Sequence, residues 1–263
     1  MVEMSSNSQQ MQKRKQRERA FHNKSFAEGT RVKTHKYYLV SKQDTEFYDN
    51  FLKTNAEGKS VLEYGCGTGS LINLLLGARA KKTTGIDISE VAIGQAKQKY
   101  EKEVAAGKVS FQVMDAEALE FSDSTFNLIC GKSILHHLDL QKCYAEISRV
   151  LKSEGKAIFL EPLGHNPIIN LYRKVTPKLR TVDEHPLLQP DMHLASKYFQ
   201  QVELHYFRLT SIFAIPFRKF GFFSPLLQRL DAFDQFLFRR AAFIRKFARI
   251  AIMILSKPRN TNA

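Results

Sequence analysis

The sequence predicts an α/β fold, a largely parallel sheet with helices on both faces. Three observations carry this: strand-length apolar runs, helix-length stretches alternating with them, and a glycine turn at their first junction. SVLEYG, TTGIDI, VSFQVMD, FNLICG and KAIFLEP are the strand candidates. SLINLLLGAR, EVAIGQAKQKYEKEVAAG and LQKCYAEISRVLKSEG are the helices between them. QVELHYF and ARIAIMIL read as two later strands, separated by about forty residues rich in aromatic and basic side chains.

The chain has 263 residues, 43% of them hydrophobic, enough for one sizeable core with attachments. Residues 1–20 are polar, basic and without aromatics, which predicts a disordered tail or a frayed helix. Residues 21–52 read as an N-terminal helical lid, and 53–263 as the main domain. No apolar run approaches the roughly eighteen residues of a membrane helix, and the start lacks a secretory core. Cys66, Cys130 and Cys143 lack CxxC spacing, so neither a disulfide framework nor a zinc site is expected. These features point to the cytoplasm.

The net charge of +14 is concentrated. Residues 1–36 hold nine Lys/Arg and three acids, and 206–247 hold eight and two, so each segment carries +6. A basic surface confined to attachments suits an anionic membrane or a polyanion, as well as plain solubility.

The glycine turn, VLEYGCGTGS, is where a nucleotide would sit. Gly65, Gly67 and Gly69 open it. Asp87 ends the next strand twenty residues after Gly67, the spacing at which a carboxylate reaches ribose hydroxyls. A dinucleotide site has GxGxxG, whereas this chain has GxGxG preceded by Glu63. That carboxylate would repel a pyrophosphate but suits an ammonium group. Asp115 and Ala116 end the third strand, where a carboxylate and a backbone N–H can meet the adenine edge. S-adenosylmethionine, with an ammonium, a sulfonium and no phosphate, fits these features together.

VLEYGCGTGS, GIDIS, VMDAEAL and FNLICGKSILHHL, in that order, resemble the successive motifs of class I S-adenosylmethionine-dependent methyltransferases over Phe47 to Pro162. The resemblance implies a Rossmann-like seven-stranded sheet with the last strand antiparallel. It also implies that Glu63 binds the methionine end, Gly65 and Gly67 form the turn, Asp87 holds the ribose and Ile88 packs on adenine. Asp115 and Ala116 would meet the adenine edge, and Gly131 would flank the methionine moiety. Within the class, the chain is similar to the ubiquinone/menaquinone C-methyltransferase and phosphoethanolamine methyltransferase groups.

The expected reaction is methyl transfer to a small, hydrophobic or lipid-linked acceptor. No Pro-Pro-aromatic signature of nucleic-acid amino-methyltransferases follows the fourth strand, where CGKSILHH stands. That argues against nucleic acid, with an RNA or protein methyltransferase and a noncatalytic partner as the competing readings. His136 resembles the histidine of phosphoethanolamine-type enzymes, which acts with a lid tyrosine; Tyr37 or Tyr38 would supply it. An imidazole suits proton removal at neutral pH, although His-His-Leu is also a common structural element of small-molecule methyltransferases. His137 is the weaker candidate.

Glu161 and the loop after it form the expected acceptor side, residues 163–195, with His165, Asp183, Glu184 and His185 as wall candidates. Turn-capping and an Arg180–Glu184 pair are their structural alternatives. No metal ligand set is expected. The insertion over 208–247, extended to Phe207, holds eleven of the twenty phenylalanines. Phe233, Phe236, Leu237, Arg239, Arg240, Phe243, Ile244 and Phe247 predict an amphipathic helix, to rest on an anionic inner membrane surface, pack on a partner or cover the acceptor. O-, N- and C-methylation, the acceptor and the oligomeric state stay open.

Overall fold

Seven strands follow from the apolar runs: β1 (Ser60–Tyr64), β2 (Lys82–Asp87), β3 (Val109–Val113), β4 (Phe126–Lys132), β5 (Leu151–Pro162), β6 (Phe199–Phe207) and β7 (Ile250–Pro258). In this computed structural model, which describes residues 2–28, 42–176 and 184–259, they form one sheet ordered β3-β2-β1-β4-β5-β7-β6. Every pairing from β3 to β5 is parallel, and β7 runs antiparallel to both β5 and β6. The continuous apolar character of β1 and β4 reflects burial on both faces, as in parallel sheets flanked by helices.

The helices are α1 (Val2–Ala27), α2 (Lys42–Asn55), α3 (Ile72–Gly77), α4 (Glu90–Lys99), α5 (Glu101–Ala105), α6 (Leu140–Val150), α7 (Pro167–Val175), α8 (Gln189–Leu194) and α9 (Phe223–Arg240). Polar side chains start several of them. Ser89 caps α4 by accepting from the Ala92 amide, and Asp139 caps α6 by accepting from Gln141 and Lys142. One core layer joins α6 to the sheet through Tyr144, Ile147, Phe159 and Met253. The opposite layer joins α2 through Tyr48 and Leu52 to Leu128, Ile158 and Ile252.

Three segments differ from the sequence expectation. The stretch expected as one helix after Ser89 breaks at Tyr100 into α4 and α5. The basic N-terminal segment, expected as a disordered tail or a frayed helix, forms the continuous helix α1, whose residues find ion-pair and hydrogen-bond partners on the domain, described below. The amphipathic insertion helix ends at Arg240 and is followed by a 3-10 turn, Ala242–Phe247, so Phe243, Ile244 and Phe247 leave the helical stripe. The inner face of α9 is instead Leu227, Leu230, Asp234 and Phe238. Among the described residues, no helix is long and apolar enough to cross a membrane.

Candidate active site

Chain order reverses between β1 and β4, so their carboxyl ends leave a crevice. The β1 turn forms its floor. Gly65 has φ +71° and Gly67 +52°, a region that L side chains avoid, and a Cβ on Gly65 would lie 2.7 Å from the Ile134 side chain. The Cys66 amide donates to Ile86 O at 2.8 Å and the Gly69 amide to Cys66 O at 2.9 Å, closing the turn against β2.

Asp87 Oδ2 accepts from the Gly67 amide at 2.8 Å, and its Oδ1 from the Ser89 amide at 2.9 Å. The carboxylate is thereby locked at the lip of the turn. Beyond β3, Asp115 Oδ1 accepts from the Glu117 amide at 2.9 Å, and the Tyr64 hydroxyl donates to Ala116 O. Gly65, Asp87, Ile88, Asp115 and Ala116 all line one cleft. Five residues expected to surround one cofactor therefore share one cavity.

Glu63, Gly67 and Gly131 support the cleft from outside its lining. Glu63 Oε1 accepts from the Leu71 amide at 2.9 Å and from the Ser70 hydroxyl at 3.0 Å, tying the turn to the start of α3. Its Oε2 is buried without a hydrogen-bond partner among the described residues. Burial raises its pKa to about 7 against these hydrogen bonds. Such an orphaned acceptor beside a glycine turn fits a donor group arriving with a ligand. Gly131 O accepts from the Tyr48 hydroxyl at 3.0 Å, and a Cβ there would meet Tyr64 O at 2.9 Å.

Sequence reasoning expected a lid from residue 21 onward but did not place the earlier part of α1 on this cleft. Arg14, Lys15, Glu18 and His22 form its roof. Lys15 Nζ donates to Asp115 Oδ2 at 2.5 Å and lies 3.0 Å from Glu117 Oε2, while Arg14 pairs with Glu117. Burial lowers the Lys15 pKa, but its bonds to both carboxylates outweigh that and raise it. Ser89 Oγ donates to Asn23 Oδ1 at 2.6 Å, and the Phe26 ring lies over Gly67. The charge of the segment was legible; its target, about a hundred residues away, was not.

The two adjacent histidines have different surroundings. His137 lines the cleft, with its Nδ1 3.3 Å from Glu18 Oε2. His136 is buried behind it, ring centroids 4.2 Å apart, with Nδ1 2.7 Å from Glu161 Oε2. Glu161 is fully buried, and its Oε1 accepts from the Ile134 and Leu135 amides, 2.9 Å each. One carboxylate thus fixes both the histidine and the loop after β4. His136 Nε2 faces Glu184 at 4.0 Å, and Arg173 holds Glu184 at 2.9 Å.

The His185 amide donates to His136 O at 3.1 Å, which brings the loop after β5 against this pair. His165 Nε2 accepts from the Gln189 amide at 3.3 Å. Tyr37, Tyr38, Arg180 and Asp183 lie outside the described residues. The ligating atoms of Glu18, His22 and His137 lie within 4.8 Å of one another, as do those of His136, His137 and Glu184. At the second group the Arg173 guanidinium already provides a cation.

Comparisons with known proteins agree with this geometry. Residues 62–159 match the family described as methyltransferase domain. The O-methyltransferase cnsE of Penicillium expansum is 31% identical over 136 residues, covering 49% of each chain. A phosphatidylethanolamine N-methyltransferase of Cereibacter sphaeroides is 30% identical over 107 residues, covering 40% of this chain and 52% of its own. The chain thus spans about half the length of these curated relatives. A geranyl diphosphate methyltransferase structure, solved with geranyl diphosphate and sinefungin, shares the fold at a TM-score of 0.55 and 13% identity, covering 80% of this chain and 77% of that one. With the strand order and the glycine turn, the match assigns residues 62–159 to a methyltransferase domain.

Proposed function

We propose that the protein transfers a methyl group from S-adenosylmethionine to a small hydrophobic or lipid-linked acceptor, by in-line displacement. The observation that carries this reading is the single cleft that joins the β1 turn, Asp87 and Asp115 next to the buried His136–Glu161 pair. The cofactor supplies a methyl carbon already activated by sulfonium. The protein's part is then alignment and, for an acidic acceptor proton, a base.

In this reading Asp87 binds the ribose hydroxyls and Asp115, released from Lys15, the adenine amine. Glu63 Oε2 faces the methionine ammonium, directly or through water. Glu161 is a positioning residue: its contact at Nδ1 directs His136 Nε2 toward the acceptor side, where it takes the proton. The loop carrying Glu184 and His185 forms the acceptor wall. The phosphatidylethanolamine and geranyl diphosphate enzymes act on lipid or isoprenoid molecules by name, which supports an apolar acceptor here. An anionic inner membrane surface is the place where such acceptors concentrate.

Calorimetry with S-adenosylmethionine and S-adenosylhomocysteine tests the first half, and absence of binding to both rejects it. Transfer of labelled methyl groups to a panel of prenylated quinols, sterols and phenols tests the second. His136→Ala is expected to lower turnover about a hundredfold or more with cofactor affinity retained. A fully active His136→Ala enzyme removes His136 from the mechanism.

A further inference from the structure

The insertion between β6 and β7 exposes side chains that a folded domain ordinarily buries. Phe217, Phe220 and Phe222, at its tip, are 41%, 57% and 51% exposed. Their rings pack on one another, with centroids 5.4–6.3 Å apart. Along α9 and the turn after it, Phe233, Phe236 and Phe243 also face outward. One apolar cluster of this kind on a soluble surface marks an interaction site.

The charges on the same surface are sorted by sign. Residues 206–247 contain two acids, Asp231 and Asp234. Asp234 is buried and accepts from the Leu209, Thr210 and Ser211 amides and from the Thr210 hydroxyl. Asp231 is half-buried beside Ser211. Both acids are thus drawn into the turn after β6. Lys219, Arg229, Arg239 and Arg240 remain exposed, with Arg218 partly so, and the Arg240 guanidinium lies 5.8 Å from the Phe236 ring centroid.

We propose that this face docks on an anionic lipid bilayer, Phe217, Phe220 and Phe222 entering the interface while the insertion's cations meet lipid phosphates. Exposed aromatics with exposed cations in the same insertion match that surface in both polarity and charge. A two-fold contact between identical copies would bring these like charges together, which disfavours self-association. The placement also serves the acceptor. β6 ends and β7 begins beside Pro162, at the end of the sheet where Glu161 lies, and Asn166 donates to Phe247 O at 2.7 Å. Exposed Leu171 and Val175 on α7 extend the apolar surface there. This deepens the proposed function and rests on it for the acceptor, although docking itself requires no catalysis.

The chain has no tryptophan, so Phe220→Trp gives a unique fluorophore at the tip, and Lys102→Trp on α5 gives a control away from it. Each full-length variant is mixed with phosphatidylcholine vesicles, with and without phosphatidylglycerol. With phosphatidylglycerol, the Phe220→Trp emission is expected to shift to the blue and to be quenched by brominated phosphatidylcholine, whereas the Lys102→Trp emission stays unchanged. Cosedimentation of a Phe217→Ser/Phe220→Ser/Phe222→Ser variant is expected to fall about tenfold or more, with S-adenosylhomocysteine binding intact.

Absence of vesicle binding overturns the proposal. So does binding in which the Phe220→Trp probe stays in water, which would assign attachment to basic α1. A wild-type dimer that becomes monomeric in the triple variant, without vesicle binding, identifies the face as a contact between copies and overturns it too. Should the triple variant not fold, the Phe220→Trp signal decides alone. Loss of cofactor binding in the wild type would reject the methyltransferase reading, a result separate from docking.

Discussion

Replacing Glu63 by Gln tests the buried carboxylate behind the glycine turn. Its folded-state pKa of about 7 lies above the ordinary 4.5 because burial penalises the charge. A raised carboxyl pKa means that the folded protein holds a proton which the unfolded chain releases between those two values. The stability from this group is therefore full below pH 4.5 and is lost as pH rises through 7. Working the linkage between pH 5.5 and 8.5 gives about 2 kcal/mol. The Glu63→Gln side chain keeps an acceptor for the Leu71 amide and Ser70 hydroxyl but cannot ionise. The variant's stability relative to wild type is therefore expected to improve by about 2 kcal/mol across this interval, roughly 4–8 °C in melting temperature for a domain of this size.

Thermal unfolding of both proteins at the two pH values reads the difference, in which other titrating groups cancel. An equal gap at both pH values refutes the reasoning, because it would mean that Glu63 titrates alike in the folded and unfolded chains. Calorimetry on the same samples adds a second result. A cofactor affinity at pH 8.5 that falls in the variant assigns Oε2 to the cofactor's ammonium; an unchanged affinity restricts Glu63 to holding the turn.

Asp87→Ala removes the acceptor for the Gly67 and Ser89 amides and is expected to weaken S-adenosylhomocysteine binding by about 1–3 kcal/mol, read by calorimetry; unchanged affinity contradicts the ribose assignment. Gly65→Ala puts a Cβ 2.7 Å from Ile134 at φ +71° and should cost about 1–2 kcal/mol in backbone strain alone, seen as a lower melting temperature together with weaker cofactor binding. Asp234→Ala leaves the Leu209, Thr210 and Ser211 amides without their buried acceptor. A loss of about 3 kcal/mol or more in chemical denaturation is expected, and a loss below about 1 kcal/mol would show that water replaces the carboxylate.

The sequence by itself determined the strands, their alternation with helices and the glycine turn. Each is written in a short window: a hydrophobic period, a strand-ending carboxylate, glycines where φ must be positive. It also determined which residues share the cleft from β1, β2 and β3, because parallel strands joined by helices bring their carboxyl ends to one side. Only the tertiary structure decided what covers that cleft. Lys15 meets Asp115 across one hundred residues, and composition reads such a basic segment as a disordered tail or a frayed helix until an acidic partner is known. Tertiary structure also separated His136 from His137. The step from one residue to the next in the 3-10 turn Leu135–His137 sends one ring to Glu161 and the other to the cleft. The insertion followed the same rule: its Phe and Arg content was legible, but the burial of Asp234 and half-burial of Asp231 depend on the backbone after β6, and they leave the insertion's fully exposed charges basic.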